Sequence, residues 1–393
     1  MMKSVSAAKV FGCRLAVWSL CFGLGLTCSL TLGQETSQVT EPGAKSEQSP
    51  PKAASESKQT ATGNEAFKAE IEAFLSQKSE PSHAAQSASS TAIIGDKQSD
   101  LSDTDLTKFL RVTEVDGVPA ALETAIVRYS SATPGGAQVD LIGAVHIGEG
   151  EYYDKLNRLF DKYDVLLYEL VAPEGTQIPL GGKREGGGFN PVAMMQDASK
   201  KMLGLESQLE KIDYTKKHFV RADMTPTQMA EKMAERGDTA LTIALDTFAD
   251  IMRKSNKAAQ NPESNPLATM AEDLSFSDLL GNPAKMKQLM AMQFASTGSL
   301  DMAMGESLNQ LLIVDRNAEA LRGLTKQLTA GNKRIGVFYG AAHLPDLEKH
   351  LVADFGMRKT GQAWLEAWDL TASPKPEMDE PASLLMNILK MLD

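Results

Sequence analysis

Apolar positions in this chain follow two rhythms, one of short runs and alternations and one of helical spacing. Phe109 to Ser130 alternates around Asp116-Gly117 and predicts a β-hairpin, with Thr124 to Tyr129 as its second strand. Gln138 to Val145 predicts a further strand. Glu149 to Tyr163 predicts a helix with Tyr153, Leu156, Leu159 and Phe160 on its apolar face. Asp164 to Glu169 is a continuous apolar run ending in a carboxylate, which predicts a buried strand. Strand, helix and strand make a βαβ unit, so the two strands are expected to pair in parallel. From Asn190 to Ala330 the spacing is almost entirely helical, broken at Gly237, Asn261-Pro262, Gly281-Asn282-Pro283 and Gly298. One extended piece, Phe219 to Asp223, interrupts it, and Thr225-Pro226 marks a helix start. The sheet pattern resumes at Arg334 to Gly340, followed by a helix from Pro345 to Asp354. Met357 to Leu370 forms one or two strands bearing Trp364 and Trp368. The expected fold is α/β (α+β): a mixed central sheet with flanking helices and a large helical insertion between its two halves.

The first hundred residues follow neither rhythm. Lys3, Lys9 and Arg14 precede an apolar stretch from Leu15 to Leu32, and Thr31 and Gly33 suit a cleavage site, so residues 1–33 read as a signal peptide. An uncleaved anchor is the alternative, because the stretch approaches the length of a membrane span. The three cysteines, Cys13, Cys21 and Cys28, all lie in this segment. An exported body therefore has no disulfide, thiol nucleophile or thiolate metal site. Residues 34–105 are rich in Ser, Gln, Glu, Ala and Pro and read as a disordered low-complexity spacer, dispensable for folding. Within them Glu65 to Leu75 has the spacing of a short amphipathic helix, with Ala66, Ile71, Phe74 and Leu75 on one face. The folded domain is expected over 106–372, with its helical insertion at about 190–330, and 373–393 is a tail with a short apolar helix.

Composition narrows the function classes. The net charge is −11, becoming −14 once the basic leader is removed, and no basic stripe is present. Nucleic-acid binding is not expected, and the only route to a membrane tether is the N-terminal segment. Thirteen of the 19 methionines lie between Met194 and Met304, a pattern that suits core filling or an adaptable apolar groove. The glycine-rich stretch Gly181 to Gly188 lacks the Gly-Lys-Ser/Thr ending of a phosphate loop and reads as a surface loop.

The chemistry is concentrated in two tetrads. Gly143-Ala144-Val145-His146 and Gly340-Ala341-Ala342-His343 each follow an apolar run and precede helical spacing. In open α/β sheets, ligands sit at the carboxyl ends of the strands. Gly143 and Gly340 supply a tight turn and room for approach. The apolar run ending in Glu169 places a carboxylate where burial is costly unless it is paired or metal-bound. Two imidazoles and one carboxylate make a ligand set suited to Mn, Fe, Co or Zn. The bland readings are strand-end histidines bonded into the core and a Glu169 turned outward. Arg316 falls one turn after Leu312 on the long helix from Gly305 to Leu328, within Asp315-Arg316-Asn317. It suits either an oxyanion or a surface carboxylate. Arg221 and Asp223 point the same way in an extended chain, as a salt bridge or a site pair.

These motifs together resemble the TraB/PrgY/GumN group, which includes the TIKI proteases. The resemblance rests on Gly-Ala-Val-His, on Leu-Tyr-Glu in the following strand, on Arg-Asn of the long helix and on Gly-Ala-Ala-His-Leu-Pro, and spans Phe109 to Leu370. It implies an α/β domain with a helical insertion and a site built on the two Gly-x-x-His motifs. It further implies metal-dependent hydrolysis, with His146, His343 and Glu169 holding a divalent metal ion, Arg316 and Glu169 in catalytic roles, and Asp223, Arg221 and Asn317 nearby. A peptide or small-molecule substrate follows, with peptide bonds the first expectation. Two alternatives stay open: a non-catalytic exported or surface-tethered binding protein, and a metal-independent, esterase-like hydrolase.

Overall fold

The computed structural model describes residues 59–76, 109–182, 203–239, 282–296 and 306–372, with isolated positions between 200 and 253. The expected signal peptide, most of the glycine-rich loop, much of the expected insertion and the tail from 373 lie outside the described residues.

The hairpin forms as the pattern requires. Strands β1 (Leu110–Val115) and β2 (Val118–Ser130) are antiparallel. Asp116 and Gly117 at the turn both have positive φ, 53° and 77°, the backbone a two-residue hairpin needs. β2 is longer than the predicted strand, and its length has a use. Its first half pairs with β1 and its second half with β3 (Gln138–Ala144) on the same edge. Its other edge takes β9 (Arg358–Asp369) along most of its length. Met357 to Leu370 therefore closes as one strand.

Beyond β3 the sheet turns parallel. β3 pairs with β8 (Arg334–Gly340), β8 with β5 (Val165–Tyr168), and β5 with β7 (Phe219–Arg221). This corrects one expectation: β3 and β5 run the same way but do not pair, because β8, which follows the insertion, lies between them. It also gives the extended piece Phe219 to Asp223 a place, as the edge strand of the central sheet. A separate short ribbon joins β4 (Ile147–Gly148) to β6 (Glu206–Ser207).

Alternation divides the core between two faces. Leu166, Tyr168, Ile142 and Phe338 point to one face, where helix α2 (Gly150–Phe160) supplies Tyr152, Tyr153, Leu156, Leu159 and Phe160. Val165, Leu167, Val139, Leu141, Ile335 and Val337 point to the other. That face is covered by Ala320 and Leu324 of helix α7 (Asp315–Thr329) and by Leu344, Leu347 and Leu351 of helix α8 (Leu344–Ala353). A mixed sheet whose parallel strands carry helices on both faces is an α/β fold. Helix α5 (Pro283–Ser296) adds Met286 and Met290 to the first face, so these two methionines fill core.

The segment expected to be a dispensable spacer contains a docked helix, α1 (Gln59–Ser76). Its buried residues are Phe67 and Ile71, whereas Ala66 is exposed and Phe74 and Leu75 are half-buried. Phe67 packs so closely on β9 that a Cβ at Gly361 would lie 2.5 Å from its Cβ and Cγ. The Arg128 guanidinium lies 4.3 Å from the Phe67 ring centroid, a cation–π contact. Glu70 receives Arg128 Nη1 at 2.6 Å and Lys162 Nζ at 2.9 Å. The Arg128 fork is itself braced from behind by buried Asp140, at 2.8 and 2.9 Å. Two apolar anchors and a braced ion pair overcome the polar composition around them.

Candidate functional site

The carboxyl ends of the four parallel strands point to one pole, and every residue singled out from the sequence lies there. β3 leads to His146, β8 to His343, β5 to Glu169 and β7 to Asp223.

The two tetrads are neighbours in the sheet, with Ala144 opposite Gly340. They then part. After Gly340 the chain winds through a single 3-10 turn, Ala341–His343, directly into α8, which buries the His343 side chain to 5% exposure. After Ala144 it bends at His146 before entering β4, leaving His146 half-buried. Each framework glycine has a physical reason. A Cβ at Gly340 would sit 3.3 Å from Glu169 Oε2, the atom to which the Gly340 N–H donates at 2.7 Å. A Cβ at Gly143 would press on Ala125 O at 3.3 Å and on Leu344 and Phe109 O at 3.4 Å.

The segment carrying His146 is held from three sides. The Tyr152 and Tyr153 hydroxyls donate to Gly143 O (3.0 Å) and Val145 O (2.9 Å), and the Trp368 indole donates to Ile147 O at 2.7 Å. These bonds satisfy carbonyls that leave the sheet at its end. Gln208, at the start of α3 (Gln208–Lys211), donates its backbone N–H to His146 O at 2.9 Å and sets Oε1 3.2 Å from His146 Nδ1.

Glu169 is the hub. Its Oε1 accepts from Arg316 Nη2 at 2.7 Å and lies 3.5 Å from His343 Nε2, while Oε2 takes the Gly340 N–H. Burial alone would raise its pKa. The Arg316 charge, His343 and, at longer range, His146 outweigh burial and hold the carboxyl well below its usual range. Arg316 is buried as well. Its Nε and Nη2 form a fork on Asp223 at 3.0 and 2.6 Å, and Nη1 reaches Leu312 O. A short helix, α6 (Glu306–Asn309), and a π-helical turn, Gln310–Val314, run into α7 immediately before it, the π turn being an irregularity often found at functional sites.

This changes the part expected of Arg316. All three nitrogens of the guanidinium are engaged within the protein, the arrangement of a residue that orients carboxylates. Asp223 becomes a principal member of the site, with Tyr339 donating to the neighbouring Ala222 O. Arg221 bonds the backbone carbonyls of Asp223 and Met224, at 2.7 and 3.3 Å, and shapes the turn. The Asp223 carboxylate also caps Met224 N at 2.7 Å. Thr225 then starts helix α4 (Pro226–Arg236) with a capping box to Gln228.

Asn317 completes the centre. Its Oδ1 lies 2.7 Å from His343 Nδ1, and its Nδ2 donates to His343 O at 3.0 Å and Asp346 Oδ2 at 2.9 Å. Asp346, Gln208 and Tyr214 were missed from the sequence. Asp346 lies three residues after His343, in the first turn of α8, a spacing that places the two side by side. Nothing local marks Gln208 or Tyr214.

The donors do not fit the metal site implied by the resemblance. Both Glu169 oxygens are committed to N–H donors, one of them from a cation that occupies the place of a metal's charge. Among the described residues, no three His, Cys, Asp or Glu side chains are grouped to hold a metal ion. The expected Mn, Co, Fe or Zn centre on His146, His343 and Glu169 is replaced by an Arg-centred ion cluster flanked by two histidines. No helix among the described residues is long and apolar enough to cross a membrane. No known protein family, curated protein or solved structure matches this chain.

Proposed function

We propose that the chain is a hydrolase of acyl bonds, peptide or ester, working at the carboxyl pole of the sheet by histidine acid–base chemistry. The observation that carries this reading is the Glu169 carboxylate. It is held ionised and immobile by Arg316 and the Gly340 N–H, 3.5 Å from His343 Nε2. A fixed negative charge beside an imidazole favours the protonated ring that forms when the histidine takes a proton from water. His146 is the more exposed of the two rings and is assigned the transfer, with the Glu169 charge acting on it at longer range than on His343. It takes the proton as the water oxygen adds to the acyl carbon, then returns it to the leaving oxygen or nitrogen as that bond breaks. One water is consumed, and an acid and an alcohol or amine are released. Of the two hydrolase readings, this arrangement of donors favours the metal-independent one. The TraB-type resemblance remains its sequence rationale, and the N-terminal charge pattern supports action outside the cytoplasm.

The test is turnover of a mixed peptide and ester panel by the purified full chain, with and without a chelator. Turnover that survives chelation and falls at least ~100-fold in His146→Ala supports the reading, since a positioned acid–base group contributes about that much or more. Turnover abolished by chelation and restored by a divalent ion contradicts it in favour of metal-dependent hydrolysis. Saturable ligand binding without turnover favours the binding-protein alternative.

A further inference from the structure

We infer that the two histidines are wired differently: Asn317 locks His343 as its Nδ1–H tautomer, whereas the Gln208–Tyr214 pair leaves His146 free to exchange tautomers. Both rings present Nδ1 to a side-chain amide, at 2.7 Å for His343 and 3.2 Å for His146. The difference lies one bond further out.

The Asn317 amide has its NH2 group between His343 O and Asp346 Oδ2. A carbonyl and an ionised carboxylate only accept. Turning the amide over would set its oxygen against two acceptors in a site where Asn317 is fully buried, leaving polar groups unpaired away from water. The Asn317 oxygen therefore faces His343 Nδ1, which must carry the proton. The other acceptor facing this ring, Glu169 Oε1, lies 3.5 Å from Nε2, too long to compete with the 2.7 Å contact at Nδ1 for the single proton of the neutral ring. Asp346 acts through Asn317 and is a positioning residue. Its other oxygen faces His350 Nε2 at 3.8 Å, and His350 in turn bonds Asp354 through Nδ1 at 2.6 Å.

The Gln208 amide meets Tyr214 OH at 2.9 Å. A phenol hydroxyl donates or accepts equally well. If the amide turns over, the hydroxyl rotates to donate and the amide NH2 then faces His146 Nδ1, which becomes the acceptor. Both hydrogen bonds survive, so the two His146 tautomers are close in energy. Under the proposed function this gives the exposed ring a movable proton and the buried ring a fixed one.

The experiment is nitrogen NMR of the full chain carrying 15N-histidine, at a pH where the rings are neutral. The chain has five histidines, so single His→Gln substitutions assign the signals. The expected result is one Nδ1–H tautomer at His343 and averaged, exchange-broadened nitrogens at His146. Gln208→Glu, which only accepts, should collapse His146 to Nδ1–H. Asn317→Leu, which offers Nδ1 no acceptor, should release His343 to a mixture. A mixture at His343, or a single tautomer at His146, in the unmodified protein overturns the inference without reference to any variant. Because the readout needs no turnover, its failure is distinct from failure of the hydrolase reading.

Discussion

Arg316 Nη2 lies 2.7 Å from Glu169 Oε1, a contact between residues 147 positions apart that joins the long helix to the end of a central strand. The same nitrogen lies 2.6 Å from Asp223 Oδ2, so one guanidinium serves two carboxylates, and Arg316 and Asp223 are both nearly inaccessible. Removing the cation would leave both acids buried and uncompensated. Arg316→Met is expected to cost about 3–5 kcal/mol in urea unfolding, the usual penalty for breaking a buried pair. Arg316→Lys should fall between that and wild type, because a point charge cannot span two carboxylates as the planar fork does. A loss under about 1 kcal/mol in both variants, as for an exposed pair, would show that the cluster is not built as described.

The N-terminal helix provides a second prediction. Phe67 and Ile71 are 4% and 2% exposed, so a chain starting near Leu106 should melt below the full-length protein. Phe67→Ala should destabilise by up to about 3 kcal/mol, capped by the docking free energy of α1, because a helix that detaches cannot weaken the body further. Coincident melts of the two chains would mean that α1 does not hold to β9.

Docking of α1 should also depend on acidity. Burial of Glu70 works against its charge, but Arg128 and Lys162 lower its pKa from 4.5 to about 2. A pKa depressed on docking contributes stability above the undocked value of 4.5 and loses it as pH falls toward about 2. The difference in melting temperature between wild type and Glu70→Gln should therefore shrink from about pH 6 to about pH 3. A difference that is constant over that range would remove the Glu70 ion pair from the account.

The sequence reveals what local chemistry decides. Apolar runs, turn residues and capping signals locate the strands, the Asp116-Gly117 hairpin and the Thr225 helix start. The two Gly-x-x-His tetrads and Glu169 mark the pole where the site forms. What escapes is decided at long range. β8 inserts between β3 and β5 only because the chain returns after the insertion, which periodicity does not encode. α1 was hidden by its polar neighbours, because two buried side chains and a braced Glu70 suffice to dock it. Arg316 read as an oxyanion donor because Asp223, its partner, is 93 residues away. The equal tetrads suggested equal histidines, but a 3-10 turn carrying one and a bend before a short strand carrying the other bury them differently.

The site makes its own demand on Gly340. With a Cβ only 3.3 Å from Glu169 Oε2, Gly340→Ala should fold but displace the carboxylate by a few tenths of an ångström. It should lower kcat more than it raises KM, since misplacement at the reacting centre is felt mostly in the transition state. Steady-state kinetics on any substrate found for the wild type would check this. An unchanged kcat would place Glu169 outside the chemistry.

The most direct test of the central claim is the rate of acyl-bond hydrolysis by Glu169→Gln relative to wild type, measured in the presence of a chelator. Gln keeps the size of the side chain and an oxygen for the Gly340 N–H, but removes the charge that favours a protonated histidine. The account expects clear wild-type turnover and a loss of at least ~100-fold in the variant, in a folded chain whose melting temperature falls because Arg316 loses one of its two carboxylates. Wild-type-like turnover in Glu169→Gln, or turnover that disappears from the wild type on chelation, would contradict it.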